Sequence, residues 1–436
     1  MKNRFILVAL VLLVFFVISF LTNILGALNP AIKESFNLEF SSLGFMTLAF
    51  FSAYGFMSIP SGVLVEKYKE KKVMLLAFFL AFMGAILFAI FPTFVVFLMS
   101  LFFIGTGMAM LQVAINPLLR TAGGEEHFAF YSVLGQLFFG AAGVAGPYCY
   151  SYLVENSNEE IGGQSIKTFL KELVPQDMSW VSIYVLFAII ALIMVFVIFS
   201  FKFPKVDLKE DEKAGEWGLI KSLIKNKTVI AYFVGIFCYV GFEQGVSFWI
   251  SQFLETYHDV DPETIGAATV GNFWGLLTLG CFLGLVLLKF LDSKLVLKLF
   301  SLLAFVALCL ALYGTKDMAL IAFPAVGFFA SVMWSIIVSL ALNSVKEHHG
   351  SVTGILCTGI VGGAIAPFIV GGLSDLFSLK IGMMFNFVTL AYIFGIGLWA
   401  NPLIKNKTFK SVSDTSNVEK EPTLVNEEIL DFDSFN

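Results

Sequence analysis

The stretch GVLVEKYKEKKVMLL at residues 62–76 returns far downstream as GLVLLKFLDSKLVLKL at 284–299. Each runs from a glycine through aliphatics to a basic/aromatic pair, an acid, a lysine and a new apolar run. A short charged turn between two long apolar runs is the join between two membrane helices. The turns also occupy equivalent places, one between the second and third apolar runs and the other between the eighth and ninth. The chain therefore reads as two related six-helix halves in parallel repeat.

Working outward, apolar runs fall near residues 5–28, 41–65, 73–92, 94–119, 128–154, 178–202, 227–255, 264–290, 294–315, 317–343, 350–376 and 381–403. Composition agrees: 58% of the residues are hydrophobic and 14% charged, against roughly 45–50% and 25% in soluble globular chains. Twelve spans leave no room for a large catalytic domain, so the chain is expected not to be an enzyme. The first run follows Lys2 and Arg4 but is longer than a signal h-region and is read as a retained span. The expected organisation is a six-helix bundle over 1–201, a linker over 202–226, a second bundle over 227–404 and an acidic disordered tail over 405–436.

The charge is better read by position than by sum. The net −5 comes from the tail, where Asp414, Glu419, Glu421, Glu427, Glu428, Asp431 and Asp433 face Lys420 alone. With the N-terminus inside, the outer loops hold only Lys33, Lys167, Lys171, Lys316 and Lys380, as the positive-inside rule requires. Both termini are therefore expected in the cytoplasm. No basic nucleic-acid patch occurs. The five cysteines lack Cys-x-x-Cys spacing and read as packing residues, and neither a metal site nor a cofactor motif is expected. The sequons at Asn226 and Asn406 fall on the cytoplasmic side in this orientation and are discounted.

Charges inside a bilayer are costly enough to mark function. The single acid well inside a span is Glu243, in FCYVGFEQGVSFW of the seventh run. It is the expected ion-coupling or ligand-binding group, the plainer reading being a protonated carboxyl bonded to a neighbouring helix. Gln112 and Asn116, four residues apart, share a face of the fourth run, with Pro117 loosening the backbone. Gln136, Thr22 with Asn23, Asn272 with Trp274, and Trp334 with Ser335 add polar and aromatic groups. Amides match vicinal hydroxyls and indole faces match the apolar side of a pyranose, so these candidates point to a sugar. The glycine stretches at 140–146 and 359–367 permit close helix approach and lack the Lys-Ser/Thr of a phosphate loop.

The runs FLTNILGALNPAIKESFNLEF (20–40), AFFSAYGFMSIPSGVL (49–64), LQVAINPLL (111–119), CYVGFEQ (238–244), NFWGLLTLG (272–280), SVMWSIIVSLAL (331–342) and IVGGAIAPFIVGGLSD (360–375) resemble the fucose, galactose and glucose:cation symporter family of the major facilitator superfamily. LQVAINP and the acid of the seventh run look more like its glucose/galactose members. The resemblance implies an all-α membrane protein of twelve helices in two pseudo-symmetric six-helix bundles. It further implies hexose uptake by alternating access, driven by H+ or Na+, in a bacterial inner membrane, and a monomer is expected. There are departures: Gly26 stands where typical members carry an Asp, Leu134 and Leu137 where a Gln and an Asn are expected, and Cys281 where an Arg is usual. Glu66 and Lys69 replace the common Asp and Gly after the second span. The alternatives are a facilitator or symporter of a non-sugar solute on the same fold and a sugar receptor that does not transport.

Overall fold

The computed structural model describes residues 2–123, 128–154, 169–170, 172–201, 203, 217–345 and 349–403. Among the described residues twelve helical segments are long and apolar enough to cross a membrane. Span 1 comprises helices Lys2–Thr22 and Leu25–Phe36, span 2 Phe40–Tyr68, span 3 Glu70–Ile90, span 4 Phe94–Gly123, span 5 Phe128–Val154 and span 6 Ser182–Ser200. Span 7 comprises Lys227–Ser247 and Ile250–His258, span 8 Ala267–Phe290, span 9 Ser293–Tyr313 and span 10 Lys316–Ala330 with Met333–Leu342. Span 11 comprises His349–Thr358 and Gly362–Leu376, and span 12 Leu379–Met383 with Phe385–Trp399. A short helix, Trp217–Ile224, precedes span 7 within the expected linker. The tail expected over 405–436 lies outside the described residues.

The packing repeats with a period of six spans. Spans 3 and 4, 2 and 4, 3 and 6, and 1 and 5 pack in the first half; 9 and 10, 8 and 10, 9 and 12, and 7 and 11 pack in the second. Two long seams join the halves, span 2 against span 11 and span 5 against span 8. The repeated turns hold helix ends. Lys71 Nζ donates to the carbonyls of Phe199 (2.8 Å) and Phe201 (2.6 Å) at the end of span 6, placing a cation where the helix carries its negative pole. Asp292 accepts from the Lys294 N–H at 2.8 Å and caps the start of span 9.

The sequence patterns anticipate unbroken runs, whereas spans 1, 7 and 10 are interrupted, as are span 11 at Gly359–Val361 and span 12 at Met384. The joint residues Ile24 (φ −89°, ψ −19°), Trp249 (φ −100°, ψ −1°) and Val332 (φ −91°, ψ −13°) remain near helical space, so each joint tightens one turn and does not unwind it. Bonds from residue i to i−3 mark the tightening: Ala27 to Ile24, Trp249 to Val246 and Ser331 to Phe328. Span 1 also runs on past Leu28, through Pro30, to Phe36.

Close approach in the first half depends on span 4. A Cβ at Gly105 would overlap the Phe50 carbonyl oxygen, and one at Gly107 the Ala77 carbonyl oxygen. Gly354 meets nothing within 4 Å. Gly107→Val is expected to lower stability by about 1–3 kcal/mol, as overpacking does. Thermal unfolding of the detergent-solubilised protein checks this, with Gly354→Ala expected to leave the midpoint unchanged.

Candidate functional site

Irregular backbone at membrane depth is tolerated only where protein or a cavity surrounds it. The joints of spans 1, 7 and 10 therefore locate the polar interior. At each of the latter two, a side chain from another span reaches a carbonyl beside the joint. Asn29 Nδ2, on the second helix of span 1, donates to the Phe248 carbonyl at 2.9 Å. Cys281, on span 8, donates its Sγ–H to the Ser331 carbonyl at 3.4 Å. Asn29 is fully buried, and its Oδ1 has no partner.

Glu243 lies half-buried on span 7, one turn before the Ser247 end of its helix. Tyr239, one turn earlier on the same face, donates its hydroxyl to Glu243 Oε1 at 3.1 Å. The Tyr239 ring lies 6.1 Å from that of Trp334 on span 10. Glu243 is also within electrostatic reach of Cys281. The carboxyl is thus tied through one tyrosine to an indole beside the span-10 joint.

A small cavity of about 90 Å³ opens between spans 5, 8 and 10. Gln136, Thr278, Cys281, Phe282, Ser331 and Ser335 are among its walls. Leu137, Leu288 and Val332 complete walls that are mostly apolar, with the amide and hydroxyl groups as a few polar points on them. Nearby, Asn23 and Trp274 meet over Gly143 of span 5: a Cβ there would lie 3.0 Å from Trp274 Cβ and 3.5 Å from Asn23 Nδ2. Asn23 Nδ2 donates to Ser19 Oγ at 2.9 Å. The Trp274 ring is buried, and its Nε1–H has no partner.

The expected residues thus divide into groups. Gln136 and Ser335 line the cavity, Glu243 and Trp334 are linked through Tyr239, and Asn23 and Trp274 converge on Gly143. Asn272 Oδ1 instead accepts from the Tyr148 hydroxyl at 3.3 Å, across the span 5–8 seam. Thr22 turns inward to its own helix, donating to the Ile18 carbonyl. Gln112 is half-buried on span 4. The Asn116 and Pro117 side chains lie outside the described residues, so the Gln112–Asn116 face rests on spacing alone.

Tyr239, Asn29 and Ser331 were not anticipated. Tyr239 had a legible signal, its i−4 spacing from the only deep acid, whereas the other two depend on where joints fall. The cysteines are all free thiols, and Cys281 lines the cavity as well as packing. The Gly26 departure has a steric reason: a Cβ there would overlap the Ser247 carbonyl oxygen. A carboxylate at this position has no room while spans 1 and 7 touch.

The Major Facilitator Superfamily model matches residues 11–356. A glucose/galactose transporter of Brucella abortus is 30% identical over 395 residues, covering 88% of this chain and 92% of the relative. The L-fucose-proton symporter of Escherichia coli K12 is 26% identical, covering 84% and 86%. A crystal structure of the Escherichia coli fucose:proton symporter aligns with TM-score 0.64 at 22% identity, covering 92% of this chain and 99% of that one. A bacterial homologue of the human lysosomal transporter Spinster, crystallised inward-facing and unoccupied, aligns with TM-score 0.69 at 14% identity, covering 91% and 97%. With a family model matched over most of its length and relatives spanned nearly end to end, the chain belongs to the Major Facilitator Superfamily of membrane transporters.

Proposed function

We propose that this transporter imports a hexose or related small sugar by alternating access, coupled to H+ or Na+, with Glu243 as the coupling carboxyl. One observation carries the reading: the deep acid of span 7 sits one turn before the joint of its own helix and takes its hydrogen bond from the neutral Tyr239 hydroxyl, with no cation bonded to it among the described residues. Such a carboxyl gains and loses a cation as the halves rock, and Tyr239 passes its position to Trp334. Gln136 and Ser335 offer hydroxyl-matching groups, and Trp274 and Trp334 offer indole surface and, at Trp274, a free N–H donor. Gln112 with Asn116, Asn23 and Asn272 complete the proposed sugar-contacting set. The similarity to a glucose/galactose transporter and an L-fucose-proton symporter supports a hexose as substrate.

The distribution of lysines supports a bacterial plasma membrane orientation with both termini cytoplasmic. A monomer suffices, because each chain holds both halves of the translocation path.

Proteoliposome uptake tests the proposal. Labelled hexose should accumulate under an imposed proton or sodium gradient; absence of accumulation for every hexose under both gradients would defeat it. Glu243→Gln is expected to cut gradient-driven uptake by about ten-fold or more, a loss of ~1.4 kcal/mol of coupling per decade, while sugar exchange persists. Gln136→Ala and Trp274→Ala should each raise the apparent KM for sugar about ten-fold, equivalent to ~1.4 kcal/mol of binding.

The cavity wall supplies an independent check. In a variant with Cys149, Cys238, Cys309 and Cys357 replaced by serine, maleimide labelling of Cys281 is expected to inhibit uptake. Saturating hexose should slow the labelling, and equal rates with and without sugar would remove this cavity from the path.

A further inference from the structure

The two seams end differently on the face opposite the termini. Span 8 is entered through a π turn, Pro262–Gly266, that is capped from its own segment: Asp261 accepts from the Glu263 N–H at 3.1 Å and from the Thr264 hydroxyl. Span 2 has no such cap. Its N-cap residue, Glu39, makes no side-chain capping bond. The first N–H groups of span 2 go instead to the far end of span 11, in the other half of the protein. Phe40 N–H donates to Asp375 Oδ1 at 2.9 Å and Ser41 N–H to Oδ2 at 2.8 Å.

We propose that Asp375 is a conformational latch, a trans-acting helix cap that holds this face of the transporter closed. Both carboxylate oxygens are used, and the negative group sits at the positive pole of span 2. The cap exists only while spans 2 and 11 touch, so opening this face leaves two backbone donors and the pole uncovered. Neighbouring contacts close with it: a Cβ at Gly371 would lie 2.5 Å from the Phe40 carbonyl oxygen, the Phe45 and Phe368 rings are 5.0 Å apart, and Asn29 bonds Phe248 across the halves. Span 8, carrying its own cap, loses none when its seam parts. Latching is therefore assigned to the 2–11 seam.

The inference rests on alternating access but not on the sugar or the coupling ion, and its test uses neither. Spin labels on Asp177→Cys and Asp317→Cys, at exposed positions of opposite halves on this face, report the gap by electron–electron distance measurement. The background has its five native cysteines replaced by serine. Without substrate, the parent protein should show mainly the short distance. Asp375→Ala should raise the ratio of long to short distances about five-fold, the loss of a typical cap, with Asp375→Asn intermediate. Adding Glu39→Asp to Asp375→Ala supplies a cap in cis; it should recover thermal stability but leave the long distance populated. An unchanged distribution in both Asp375 variants, or its reversal by Glu39→Asp, would overturn the latch. Failure of sugar uptake alone would not bear on it.

Discussion

A buried backbone carbonyl must have a donor, and in a bilayer water does not supply it. The rest of the molecule follows from how this requirement is met. Unbroken helices meet it internally, which is why the chain is nearly all helix. Where spans 7 and 10 tighten, Asn29 and Cys281 reach across from spans 1 and 8 to the carbonyls of Phe248 and Ser331. The Asn29 bond therefore also ties together spans 1 and 7 of opposite halves, which must later move, whereas Cys281 and Ser331 belong to the same half. Cross-helix satisfaction and conformational change are coupled at the span-7 joint by chemistry, because that bond does not survive separation of its two spans without a replacement donor.

The placement of charge follows the same economy. Lysines and acids cluster at turns, where they finish helices: Lys71 closes span 6, Asp292 opens span 9 and Asp261 opens span 8. Among the acids of the described spans Glu243 stands deep, and its single described hydrogen bond comes from a neutral hydroxyl. A permanent counter-charge there would hold the carboxyl in one state, whereas a tyrosine positions it and leaves exchange with a mobile cation open. Gly26 adds to this division of labour, since the contact with Ser247 leaves no room for a second acid at that place.

Much of this was legible in the order of residues. The twin turns after Gly62 and Gly284 revealed the repeat because helix joins need charge and glycine at fixed places. Glu243 stood out because a deep acid is expensive. The joints were not legible: Ile24, Trp249 and Val332 are ordinary helix formers, and the local tightening answers packing between spans distant in sequence. Nothing in the sequence marks Asp375 as a cap, since its partners lie 335 and 334 residues away. Asn272 reads as a ligand group by composition, and its bond from Tyr148 depends on the seam between spans 5 and 8, which the sequence does not display.

Span 1 is the longest of the twelve, 32 residues from Phe5 to Phe36. At about 1.5 Å per residue that is ~48 Å of helix, well beyond a hydrocarbon core of about 30 Å. The last turns of its second helix, beyond Asn29, consequently reach the level of the lipid headgroups. The closing contacts on that face then stand where bilayer thickness exerts its force, through tilt and local deformation. The surrounding lipid is thereby a mechanical partner in the rocking of the two halves.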